Sequence, residues 1–400
     1  MEHQLVISRL PNNRSFRVTA LHLTALSCAW VLMVVLVNPI GEFPLNDDWS
    51  YGRAVQSLVE HGSLQLTGFT SMPLVAQVLW GALFCLPFGF SFTALRVSTL
   101  VLGLIGIFAT YALIKEVRAH TTIAFMAAML ITINPLYFQL SFTFMTDVPF
   151  FTFSMLSFLC IVRGVREGGN VDLFIGFIFS SIAILIRQLG MVIPLSFAAA
   201  YLMKNGLNRK TIPIACAPTI ISTVILIGYQ VLLQATTGLP SLYNRSYEPI
   251  LESASGLLQL LLVLMDRLLV AFVYLGLFTL PLTIIPSMSS WQMATSKRRR
   301  LLAWTSAALF VTVSGYLLWK ERNMPLTGNI LIDFGLGPAL LRDVYVLGIP
   351  HLPSAPKEFW LGVTAASVLG GVLIVQHLFK QFFTRLWEFN YRELHLSSRV

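Results

Sequence analysis

Apolar positions in this chain come in long unbroken blocks separated by short polar, charged or Gly/Pro-bearing stretches. Ten blocks of about 15–25 residues fall near 20–38, 93–114, 121–139, 148–163, 172–186, 189–203, 211–235, 263–286, 301–319 and 359–379. A helix of roughly 20 apolar residues crosses the ~30 Å hydrocarbon layer of a bilayer. The pattern therefore predicts an all-α, polytopic transmembrane helix bundle of about ten spans. The first seventeen residues are largely polar, and the block after them lacks a small-residue cleavage site, so it reads as a retained anchor.

An eleventh apolar stretch, 73–88, is read differently. It is short, carries Pro73 and Pro87, and runs into Gly89. These features predict a helix lying at the membrane interface within a long first outer loop, 39–92. The segment 172–203 predicts a tight hairpin whose arms, about 15 residues each, reach only ~22 Å. Its turn, Arg187-Gln188, then lies below the outer surface. A helix running through Tyr51–Glu60 is expected, started by Asn46 or Asp47 as its N-cap.

Composition agrees with a membrane class: 56% of the 400 residues are hydrophobic and 11% charged, against roughly a quarter charged in soluble domains. The net charge of +9 is not a nucleic-acid footprint, because its distribution follows topology. With the N-terminus cytoplasmic and ten crossings, 18 of 27 Lys and Arg fall on the inner side, in clusters such as Lys115/Arg118, Arg163/Arg166, Lys204/Arg209/Lys210 and Lys297–Arg300. This is the positive-inside pattern, and it places both termini in the cytoplasm. The basic inner face attracts anionic membrane lipid. A bacterial inner membrane is the expected location. The four cysteines lie in apolar segments and show no metal-type spacing, and the histidines do not cluster.

The outer side carries the longer loops (39–92, 236–262 and 320–358) and most of the acids. Loop one contains Asn46-Asp47-Asp48-Trp49-Ser50-Tyr51 directly after the first span. Adjacent carboxylates this near a membrane are costly unless solvated, paired or used. They suit a general base with a second carboxylate beside it, or a helix cap. Asp147, in Met145-Thr146-Asp147-Val148-Pro149, is a second outer acid and also fits a helix cap. Arg187 stands between two apolar arms, suited to phosphate binding or to a structural pair with Asp147. Arg245 and Arg342 are further outer cations, and Asn329 lies in a Gly/Pro-rich loop able to close over a substrate.

In order and spacing, residues 20–205 resemble the polytopic glycosyltransferases of the type C fold, the group of protein O-mannosyltransferases and lipid A aminoarabinose transferases. The likeness rests on Asp47-Asp48-Trp49-Ser50-Tyr51 after the first span, Arg96 opening the next, Asp147 after the third, and the basic hairpin turn. The group's first-loop pattern is Asp-Glu-x-x-Tyr, and here the second acid is Asp48. Its turn is often Lys-Gly, and here it is Arg187-Gln188. Ser71-Met72-Pro73 stands where the aminoarabinose transferases carry Lys-Pro-Pro.

The resemblance implies a glycosyltransferase module over 1–205, followed by further helices over 206–400. It implies a sugar donor on polyprenyl phosphate, and a lipid, glycan or protein acceptor on the non-cytoplasmic face. Transfer would proceed with inversion. Asp47, Asp48 and Asp147 would be the catalytic acids, with Asp47 the base. Arg187, Arg245 and Arg342 would hold the donor phosphate, and Tyr51 and Asn329 would touch substrate. No cofactor is expected, and a divalent metal is left open. The competing class is a multi-pass transporter or lipid flippase, for which Arg187 and the short arms would line a path.

Overall fold

The computed structural model describes residues 13–45, 47–117, 119–245, 256–291, 297–326 and 355–397. The described residues are all-helical and divide into two compact units, the first reaching Pro249 and the second beginning at Ile250.

The first unit opens with α1 (Asn13–Val37), α2 (Asp48–His61), α3 (Val75–Cys85), α4 (Phe92–Glu116), α5 (Thr121–Thr132) and α6 (Pro135–Ser141). It continues with α7 (Asp147–Glu167), α8 (Asn170–Ile186), a 3-10 turn at Gln188–Met191, α9 (Val192–Asn205), α10 (Thr211–Thr236) and the short α11 (Ser241–Arg245). Directions follow from side-chain contacts. Lys115 Nζ donates to Thr19 Oγ1 (2.9 Å), and the Gly41 amide donates to Thr93 Oγ1 (3.0 Å), so α1 and α4 run antiparallel. Thr152 Oγ1 donates to the Leu102 carbonyl (2.8 Å), and Glu116 meets Arg163 and Arg166, so α7 runs parallel to α4.

Apolar residues cover both the inside and the outside of these helices. Leu21, Val35 and Leu36 of α1 are exposed, as lipid-facing positions are. Packing is therefore carried by small residues and hydroxyls rather than by apolar content. An added Cβ at Gly103 would strike Trp30, and one at Gly106 would strike Thr152 and Tyr137. Tyr137 Oη donates to the Gly103 carbonyl (2.7 Å), and Ser157 Oγ donates to that of Gly176 (2.7 Å). Around these contacts Leu26, Trp30, Leu100, Ile107, Tyr111, Ala128 and Val148 form one core.

Six helices of the described residues are long and apolar enough to span a bilayer, and seven if the bent pair α5–α6 counts as one. That pair bends by 60°, where the sequence predicted one straight span over 121–139. The bend has a local cause: Asn134 Oδ1 accepts from the amides of Leu136 and Tyr137, and Pro135 starts α6. The expectation of ten also counts α8, α9 and the apolar stretch Ala303–Trp319, which are shorter than a full span. The exact number ten is therefore not reached on length and composition alone.

The predicted hairpin forms. At Arg187 the backbone is extended (φ −140°, ψ 133°). Gly190 then packs so tightly that a Cβ would lie 2.7 Å from the Ile184 nitrogen. α9 returns toward the end where α8 began: Lys204 Nζ donates to the Val165 carbonyl (3.0 Å), beside the α7–α8 turn. Phe177 and Phe197 meet across the arms with ring centroids 5.0 Å apart. The stretch 73–88 contains only the 11-residue α3, about 16 Å long and too short to cross. Leu79, Leu83 and Leu86 are exposed on it, whereas Val78, Ala82 and Cys85 pack with Tyr51, Val55, Leu95 and Phe144.

The second unit holds α12 (Leu257–Trp291), α13 (Lys297–Trp319) and α14 (Lys357–Ser397). α12 and α14 meet backbone to backbone, with Gly276 against Ser367, Gly370 and Gly371. Asp266 pairs with Arg322, and the Met324 amide donates to Thr364 Oγ1 (2.9 Å).

Candidate active site

Loop one is tied down before its acids begin. The Arg96 guanidinium, buried at the start of α4, donates to the carbonyls of Pro39 (3.1 Å), Gly41 (2.8 Å) and Phe43, and lies 4.6 Å from the Phe43 ring centroid. Glu42 reaches the N-terminus of α4, where its carboxylate accepts from Ser91 Oγ (2.8 Å), the Phe92 amide (2.8 Å) and the Thr93 amide (3.3 Å). Partial burial would raise the Glu42 carboxyl, but these hydrogen bonds outweigh it and hold the group below its ordinary value. A helix N-terminus suits a carboxylate for the same reason.

The adjacent acids Asp47 and Asp48 occupy opposite environments. Asp48 is 1% exposed. One of its oxygens accepts from the Leu45 amide (2.9 Å) and the other from the Phe144 amide (3.3 Å), and Arg96 lies within its electrostatic reach. Asp47 is exposed at the start of α2, and its side chain makes no capping bond, so the N-cap expected of it is not formed. The Asp47 carboxylate has no hydrogen-bond partner among the described residues. Asn46, the other expected cap, lies outside them. α2 begins at Asp48, directly after Asp47, one of the two residues expected to start it.

Phe144 joins the two halves of the site. Its amide is held by Asp48, and its carbonyl accepts from Gln77 Nε2 of α3 (2.8 Å). Three residues further on is Asp147, in the first turn of α7. It caps nothing, but pairs with Arg187 Nη1 at 2.5 Å. The Arg187 turn is fixed to loop one: Gln188 Nε2 donates to the Ser71 carbonyl (3.0 Å), and the Leu74 amide donates to the Ile186 carbonyl (3.3 Å). Met72 lies between the halves, with Thr146 Oγ1 at 3.1 Å and Tyr51 Oη at 3.9 Å from its sulfur.

The Tyr51 phenol reports this convergence. Burial first, then the charge of Asp47, push it up to about 12, with Asp147 and Asp48 adding to the rise and Arg187 opposing it. One side chain thus feels all three acids and the arginine predicted from the sequence. At neutral pH it is an uncharged donor.

α10 and α11 close the site from another side. Tyr229 Oη donates to the Pro73 carbonyl (2.7 Å), and Ser241 Oγ and the Leu242 amide both donate to the Gly68 carbonyl (3.0 Å each). Arg245 ends α11, and its side chain is outside the described residues, as are Asn329 and Arg342 altogether. Sequence reading missed Gln77, Met72, Thr146 and Gln188. Only Gln77 carried a signal, as the single polar residue in the apolar run 73–88.

An all-helical bundle with six or seven described helices long and apolar enough to span defines the class, a polytopic membrane protein. Residues 71–233 match the family model described as dolichyl-phosphate-mannose-protein mannosyltransferase, so over that stretch the chain carries a domain of this family. At the family level this match supports a membrane glycosyltransferase acting on a lipid-linked donor. The matched stretch contains Gln77, Arg96, Asp147 and Arg187, and starts after Asp47 and Asp48. A search of curated proteins finds no match.

Proposed function

We propose that the protein moves a sugar from a polyprenyl-phosphate donor to an acceptor hydroxyl on the non-cytoplasmic face, with inversion at the anomeric carbon. Asp47 takes the proton of the acceptor hydroxyl. The acceptor oxygen bonds to the anomeric carbon as the bond from that carbon to the phosphate oxygen breaks. The electron pair leaves with polyprenyl phosphate, and Arg187 holds its charge. Asp48 fixes the backbone that carries Asp47, and the uncharged Tyr51 hydroxyl is available to substrate.

The observation that carries this reading is the contrast within the acid pair: Asp48 is spent on two backbone amides, and exposed Asp47 has no partner of its own among the described residues. A carboxylate and a guanidinium that both act on Tyr51 would supply the two ends of a displacement reaction. A bilayer body follows from a donor that lives in the membrane. The Lys and Arg distribution supports placing this end outside.

The test uses purified protein in lipid nanodiscs with a panel of polyprenyl-phosphate hexoses and glycan, lipid and peptide acceptors. The expected result is acceptor-dependent release of polyprenyl phosphate, with the new glycosidic bond of inverted configuration. Retained configuration would overturn the single-displacement mechanism. Vectorial movement of the intact lipid-linked sugar across the bilayer without transfer would favour the transporter class instead.

A further inference from the structure

The reaction changes the charge of the group that Arg187 is proposed to hold. In the donor, phosphate is a diester between lipid and sugar and carries one negative charge. Once the sugar has left, it is a monoester whose second ionisation falls near pH 6, so at neutral pH it carries about −1.5 to −2 charges. A lone guanidinium would therefore grip the product more tightly than the donor, and turnover would stall on release.

The structure places a third charge in this balance. Asp147 bonds Arg187 through Nη1 at 2.5 Å, while the two side chains remain 26% (Arg187) and 36% (Asp147) exposed. Among the described residues this is the only bond the guanidinium makes, which leaves Nε and Nη2 free to take phosphate oxygens on the adjoining edge. A phosphate seated there lies close to the Asp147 carboxylate. Repulsion between them scales with the phosphate charge, so it acts more on the monoester than on the diester. The pair is also anchored on both sides. Asp147 follows the Phe144 peptide clamped by Asp48 and Gln77, and Arg187 precedes Gln188, which is bonded to Ser71.

We infer that Asp147 is a release residue: by sharing Arg187 with the lipid phosphate it lowers affinity for the departing monoester relative to the donor diester. This rests on the reading of Arg187 as the phosphate seat. In these terms Asp147 is a positioning residue that sets how much of the arginine's charge the phosphate feels, and it transfers no proton.

The test measures equilibrium binding of a polyprenyl phosphate and of its unreactive methyl diester to the full-length protein in nanodiscs. Asp147→Asn is expected to tighten monoester binding about 2–5-fold, the scale of a partly exposed charge pair, and diester binding by clearly less. Asp147→Glu keeps the charge and is expected to keep the wild-type ratio of the two affinities. Asp147→Ala, which also removes the charge, serves as the second neutral variant should the Asn protein fold poorly. Damage to the fold lowers affinities, so a gain in one is a readout that a merely structural role does not produce. Monoester affinity that is unchanged or weaker, or an equal gain for both esters, overturns the inference. Wild-type affinity for both esters in folded Arg187→Ala instead overturns the phosphate seat itself.

Discussion

The two ends of the first unit both bring acids and arginines together, and they do so in opposite ways. At one end Glu116 receives Arg166 (2.8 Å) and Arg163 (3.4 Å), two cations for one acid. At the other, the charges of Asp47, Asp48, Asp147 and Arg187 all act on Tyr51. The first arrangement joins the ends of α4 and α7, and its one acid is matched by bonds to both arginines. The second leaves a carboxylate, Asp47, without a bond among the described residues, on a loop that Arg96, Glu42 and Asp48 hold in place. A membrane helix bundle gains nothing in stability from a fixed, unmatched acid, so that end is where chemistry is to be sought.

Substitutions at Arg187, Gln77, Glu116 and Glu42 sharpen this comparison. Arg187→Ala is expected to cost about 10²–10³ in turnover, the range for removing one donor to a developing oxyanion. Arg187→Lys should recover only part, since an ammonium cannot present two aligned N–H groups. A purely structural ion pair predicts otherwise: Arg187→Ala would lower the melting temperature, and a second change, Asp147→Asn, would largely restore it. Thermal melting of the single and double variants, read beside turnover, separates these outcomes. Gln77→Leu leaves the Phe144 carbonyl without its donor, at a cost of about 1–3 kcal/mol. It is expected to lower turnover as well as stability, because the Phe144 peptide leads into Asp147.

Glu116→Gln, at the matched end, should change stability by about 1 kcal/mol or less and leave turnover intact. The smallest expected effect is that of Glu42→Gln. The Glu42 carboxyl is held below its ordinary value of 4.5, so its stabilising contribution is complete above that pH and is lost as the pH falls through its lowered folded value. The melting difference between wild type and Glu42→Gln should therefore be present at neutral pH and close on acidification. A difference that persists well into the acid range would show that the carboxylate charge is not what anchors loop one.

Much of the fold was legible because lipid imposes coarse rules. Long apolar blocks must be helices, and each of the ten predicted blocks holds helix where described, with 121–139 broken at 133–134. The stretch 73–88 was separable by its prolines, and the hairpin by its short arms around Arg187. The 60° bend at Asn134 went unread because Asn-Pro was embedded in an otherwise apolar run. The site was legible as a set of charges: Asp47, Asp48, Asp147 and Arg187 all act on Tyr51. Their division of labour was not. Asp47 and Asp48 are the same residue type one position apart, and only the fold decides which one turns toward the amides of Leu45 and Phe144. Backbone carbonyls and amides carry most of the anchoring, through Arg96, Gln77 and Gln188, and a sequence records no side-chain signal for a backbone partner. Arg245, Arg342 and Asn329 were chosen as outer polar residues on loops, and their side chains lie outside the described residues.

The most direct measurement is the rate of sugar transfer by Asp47→Asn and Asp48→Asn, each purified, reconstituted in lipid and normalised to folded protein by its melting transition. Asp47→Asn is expected to melt as wild type does and to lose about 10²–10⁴ in turnover, the contribution of a positioned general base. Asp48→Asn is expected to melt earlier, because its buried carboxylate holds two backbone amides, and to keep a measurable rate per folded molecule. Near-wild-type turnover in a folded Asp47→Asn protein would contradict the account, and a silent, fully stable Asp48→Asn beside it would move the base to the neighbouring residue.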